Sequence, residues 1–169
     1  QTPMSVVCVT NTKRNTRKMA EVNYITVESK VRSIVDSLIA GGTEIKYLFA
    51  NWAQTNVEFG KVKEPTIVYV LPASGDLDIS WKEIKDSPET QIAFIDRTKF
   101  DFNSTENDEI IERMKRLCYR FIKQLNESDL FELVEGKIHY RVIYNYLDEN
   151  VTGILINLTL KEVEGTRLC

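Results

Sequence analysis

The stretch from Asn107 to Leu125 constrains this chain most. Its apolar residues Ile110, Ile111, Met114, Leu117, Cys118, Phe121, Ile122 and Leu125 recur at helical spacing, so they share one side of a helix. Glu112, Arg113, Lys115, Arg116, Arg120, Lys123 and Gln124 occupy the remaining surface. Asn107 is placed to cap, and Asp108 and Glu109 sit near the positive helix end. A face this apolar has to be buried, and the strands expected on either side supply a sheet to bury it against.

A length of 169 residues suits one good core better than two very small ones. The formal charge of −3 gives no global case for nucleic-acid binding. Its distribution is uneven, because Lys13, Arg14, Arg17 and Lys18 make residues 1–20 a basic arm free of acid. We therefore divide the chain into an arm over 1–20 and a single domain over 21–169. The arm is suited to a neighbouring subunit, a phosphate backbone or solvent. Cys8, Cys118 and Cys169 are widely spaced and odd in number, the usage of reduced cytosolic thiols. No run of about 18 apolar residues is present, so no membrane partner is expected.

Along the chain, Met4 to Thr10 alternates weakly as a strand would. Val27, Val31, Ile34, Val35, Leu38 and Ile39 then keep a helical period, with Thr26 as cap and Gly41-Gly42 as the stop. Ile45 to Asn51 reads as a strand followed by a turn or second strand edge. Thr66 to Leu71 reads as an interior strand bounded by Pro65 and Pro72. Ala73 to Glu89, rich in Gly, Asp, Ser and Pro, reads as a long surface loop that either docks a partner or, the reading favoured, folds Ile79, Trp81 and Ile84 back onto the body. Gln91 to Phe102 gives another strand.

After the main helix, Phe131 to Val134 is expected to start a strand that ends in a tight connection at Glu135-Gly136-Lys137. Tyr140, Tyr144 and Tyr146 share one strand parity with Ile138 and Val142, and Ile154 to Leu160 alternates as the paired strand. The expected fold class is α+β: a largely antiparallel or mixed sheet, two main helices packed on one face, a long loop and an extended N-terminal arm.

Chemistry-bearing motifs are few. His139 has no spaced Cys, Asp or Glu set around it, and neither a Gly-rich phosphate loop nor a nucleophile elbow occurs. Asp76 and Asp78 lack the further ligands of a calcium loop, and Asp96 and Asp101 beside Arg97 and Lys99 suit a salted surface. No catalytic residue, metal ligand or cofactor is assigned. What remains is area for association: Trp81, Tyr140, Tyr144 and Tyr146 as aromatic contacts, and the four basic arm residues as charged ones.

The segment from Gln91 to Val163 resembles the small head-to-tail connector, tail-completion and tail-terminator proteins of tailed bacteriophages. The features that carry this are the amphipathic helix, the strands around Phe131 to Tyr146, and Asp148-Glu-Asn-Val-Thr-Gly153 leading into alternating Ile154 to Leu160. The resemblance implies a non-enzymatic subunit of a homo-oligomeric ring, a hexamer or dodecamer, at the virion neck or tail. Such a ring joins portal, neck or tail proteins and lets DNA pass without reading its sequence. Two other readings stand beside it. One is a small enzyme using His139, Asp76 or Asp96, and the other a nucleic-acid-binding module acting through the arm.

Overall fold

The computed structural model describes residues 6–9, 19–22, 24–98, 103–148 and 150–167. Strands β1 (Val6–Val9) and β2 (Met19–Val22) pair antiparallel in a small sheet of their own. Lys13, Arg14, Arg17 and Lys18 lie outside the described residues. The division between arm and domain after residue 20 falls inside β2.

Helix α1 (Val27–Ala40) starts where Thr26 accepts a hydrogen bond from the Ser29 amide at 3.1 Å. It ends at Gly41-Gly42, where Gly42 takes the left-handed φ of +87° that favours glycine. Both ends are as the sequence leads one to expect. Strand β3 (Lys46–Ala50) follows, then helix α2 (Trp52–Phe59), strands β4 (Thr66–Ile79) and β5 (Glu83–Arg97), helix α3 (Ser104–Glu127), and strands β6 (Tyr140–Tyr146), β7 (Val151–Thr159) and β8 (Thr166–Arg167).

The main sheet runs β3-β4-β5-β7-β6, with β8 added to β5. Among the described strands only β3 and β4 are parallel; the other pairs are antiparallel. The mixed, mostly antiparallel α+β sheet is therefore as expected. The helix count is not: among the described residues three helices pack on it rather than two. Asn51-Trp-Ala-Gln54 forms a reciprocal capping box that starts α2 where a turn or strand edge was expected.

Alternation along the strands sorts the core. Ile67, Tyr69, Ile92, Phe94, Ile154 and Ile156 pack with α1 and α3, and the Phe94 and Phe121 rings meet edge-on at 5.7 Å. The intervening Val68, Val70, Ala93, Ile95 and Leu155 pack with Phe59 of α2, Ile143 and Val151. Each fully buried large side chain contributes about 1.5–3 kcal/mol through burial. Helix α3 begins three residues before Asn107, because Asn103 as cap and Glu106 form the capping box there. Asn107 instead belongs to the second turn.

Two further expectations are corrected. Ala73 to Glu89 is not a loop: it supplies the outer halves of β4 and β5, paired from Ser74↔Glu89 to Ile79↔Ile84. Pro72 does not end the strand, since it lies where the register shifts between Val70 and Ser74, and an irregularity tolerates its missing N–H. Phe131 makes only a single bridge, to Glu162, and no hairpin forms at Gly136, whose φ is +80°.

Candidate protein-interaction surface

Beyond Val70, every residue of β4 is exposed. This outer part and its β5 partner form a two-stranded ribbon, open along β4 and covered on the β5 side, where Ser87 and Pro88 are buried. Ladder pairing holds the ribbon in shape, together with the Ser74 hydroxyl donating to Glu89 at 2.6 Å and the close approach of Gly75 to the Pro88 backbone. At its turn the Ser80 hydroxyl donates to the Glu83 carbonyl and accepts from the Glu83 amide, both at 3.0 Å. Strand β8 covers the β5 side near the tip, at Glu83 and Ile84. No described strand pairs with the β4 side there.

The ribbon carries Leu77, Ile79 and Trp81, which are 63%, 72% and 78% exposed. The expectation that Ile79 and Trp81 fold back is thus overturned; only Ile84 is partly covered. Pairing continues to Ile79↔Ile84, so the residues left outside the ladder are too few to bring Trp81 back over the core. Lys82 lies over the Trp81 ring at 4.6 Å and leaves most of the indole open.

The three tyrosines of β6 do not form the single row that their parity implies. Tyr140 pairs with Ile156 on the face of α1 and α3, whereas Tyr146 pairs with Val151 and meets Trp52 of α2 edge-on at 5.4 Å. The register shifts between Ile143 and Tyr146, where Asn145 adopts a left-handed φ of 43°. One extra residue reverses the side-chain alternation. Tyr140, Tyr144 and Tyr146 all remain exposed, with Tyr146 on the other face from Tyr140. Asn56 and Asp148 tie α2 to the following turn by two hydrogen bonds of 2.6 and 2.9 Å.

Beside Tyr140 lies an apolar groove of about 380 Å³ between α3 and the β6–β7 edge, floored by Cys118, Ile154 and Ile156. Burial pushes the Cys118 thiol up to about 12, so it stays protonated and unreactive at neutral pH. Lys115 and Lys123 flank the groove, and Lys115 sits 5.3 Å above the Tyr140 ring. The sequence pattern marked Cys118 and Ile122 as buried-face residues. It gave no sign that Ile122 and the 65%-exposed Tyr119 line an open groove.

The polar residues considered for catalysis do not converge. His139 is exposed before β6, and Asp76 and Asp78 are exposed on the ribbon. Asp96 is buried and bound by Arg113 and by the Arg97 amide. Asp101 and Lys99 lie outside the described residues. Arg97 donates to the carbonyls of Phe59, Gly60 and Val62, closing the C-terminal end of α2. Among the described residues no group of three or more His, Cys, Asp or Glu side chains is placed to hold a metal.

One buried polar cluster does occur. Lys30 Nζ donates to Glu162 Oε1 at 2.6 Å and to the Glu164 carbonyl at 2.7 Å, while Glu162 Oε2 accepts from the Asp86 amide at 2.8 Å. Burial, then the nearby Glu162 charge, raises the Asp86 carboxyl above its ordinary value. These contacts bind α1 to β5 and to the segment before β8. Comparison with protein-family models, with curated proteins and with solved structures gives no match.

Proposed function

We propose that this chain is a non-enzymatic structural subunit of a tailed-bacteriophage neck or tail ring, joining the head or portal complex to the tail. The observation that carries this reading is the ribbon with Leu77, Ile79 and Trp81 exposed. Adjacent large apolar side chains exposed on a paired ribbon favour covering by another protein. The resemblance over Gln91 to Val163 supplies the viral setting. The subunit forms a closed homo-oligomer, a hexamer or dodecamer, through heterologous contacts. Tyr140, Tyr144 and Tyr146 contact neighbours, and Lys13, Arg14, Arg17 and Lys18 reach an adjoining subunit or layer. Its negative formal charge suits a ring that lets DNA pass without specific binding.

The test is sedimentation and negative-stain imaging of the full chain, alone and mixed with portal, neck and tail proteins. The expected result is a closed six- or twelvefold ring that adds to a neck or tail complex. A monomer at every concentration that joins none of these proteins would overturn the reading.

A further inference from the structure

Besides the outer side of β3, the main sheet leaves both the ribbon part of β4 and the side of β6 away from β7 unpaired among the described residues. An unpaired edge presents backbone donors and acceptors in register with another strand. Both edges are flanked by side chains that match across them.

On β4, Leu77 and Ile79 share one face, and Asp76 and Asp78 share the other. On β6, Tyr140 and Val142 pair with Ile156 and Ile154, which places them on the α3 face beside the apolar groove. Arg141 pairs with Leu155, on the opposite face, and is exposed.

Resting on the ring reading, we propose that the free β4 edge of one copy adds as a strand to the β6 edge of the next. Leu77 and Ile79 then cover the α3–β6 groove, and Asp76 and Asp78 face Arg141. The occupant is a second copy of this chain because its ribbon meets both requirements at once. It offers apolar side chains for the groove and carboxylates for the guanidinium, on alternate positions of one strand. Donor edge and acceptor edge are different parts of the molecule, so the contact is heterologous and propagates from copy to copy until it closes. Backbone pairing supplies affinity and the alternating side chains supply register.

The experiment uses full chains carrying one half of the contact each. Leu77→Ser with Ile79→Ser removes the donor face, and Tyr140→Ser with Arg141→Glu removes the acceptor face; all four residues are exposed or partly so, and thermal unfolding checks each fold. Sedimentation should show a ring for the wild type and a dissociation constant raised by more than about tenfold for either variant. A one-to-one mixture should stop at a dimer, because only one intact donor and one intact acceptor remain. In a second arm, Asp76→Arg with Asp78→Arg should weaken assembly, and Arg141→Glu in the same chain should restore it. A ring that forms undiminished in both half-contact variants would overturn this contact and leave the ring reading standing. So would variants that fail alone and give no dimer when mixed. A wild type that never self-associates would overturn both.

Discussion

Lys30→Met tests the buried cluster that fastens α1 to the C-terminal segment. The Lys30 and Glu162 side chains are only 10% and 5% exposed, and their charged atoms lie 2.6 Å apart. Removing the ammonium leaves the Glu162 carboxylate with the Asp86 amide, close to the Asp86 carboxylate, and strips the Glu164 carbonyl of its donor. Breaking a buried pair from one side costs about 3–5 kcal/mol, because the remaining charge is neither hydrated nor paired. For a chain of this length that corresponds to a fall in Tm of about 6–20 °C. Urea unfolding followed by tryptophan fluorescence and circular dichroism measures it, with an unchanged slope expected. Adding Glu162→Gln removes the stranded charge and keeps an acceptor for the Asp86 amide, so the double variant should regain most of the loss. A single-variant cost below about 1 kcal/mol, the scale of an exposed pair, would refute the reasoning. So would a double variant no better than the single.

Two other substitutions probe neighbouring physics. The raised Asp86 carboxyl binds its proton more tightly folded than unfolded, so the stability this contributes is present at acid pH and lost as pH rises through the folded value. Asp86→Asn should therefore stabilise the fold at pH 7, by less than about 1 kcal/mol for a partly exposed group, and the gain should vanish in acid; equal gains at both pH values would exclude the charge as cause. Gly153→Ala places a Cβ 2.0 Å from the Phe94 carbonyl oxygen and 2.9 Å from Ile95 Cα, backbone atoms that cannot rotate away. We expect a loss of about 3 kcal/mol or more in urea titration, and wild-type stability would show that the strands part freely.

The parts of the fold legible from sequence are those whose apolar residues keep a helical or strand period, even where, as in β7 from Val151 to Ile156, both faces are buried. Helix α3 and helix α1 were readable because their apolar residues keep one period over several turns, and β7 because Ile154, Ile156 and Leu158 alternate. The ribbon was unreadable for the opposite reason. Its outer β4 residues face solvent on both sides, so no binary pattern marks them, while Gly75, Asp76, Asp78 and Pro88 carry the composition of a turn. Cross-strand pairing, which connects residues distant in sequence, overrode local preference. Helix α2 was legible in principle through Asn51 and Gln54, but Tyr47, Leu48, Phe49 and Trp52 carry a β preference that masks the capping signal.

The candidate surface shows the same limit at single-residue scale. Counting by twos places Tyr140, Tyr144 and Tyr146 together, and that count fails at Asn145, where a left-handed residue inserts one position. Tyr146 then meets Trp52 and helps hold α2, while Tyr140 remains beside the α3 groove. The irregularity also fixes where β6 is straight enough to accept another strand: Tyr140 to Ile143 keeps an unbroken register with Ile156 to Gly153. The acceptor edge is therefore short, about four residues, and backbone pairing alone gives it little selectivity. Discrimination has to come from the side chains on its two faces, the Tyr140 groove on one and Arg141 on the other. An apolar strand without carboxylates should consequently bind this edge less tightly than the alternating Asp76-Leu77-Asp78-Ile79 segment does.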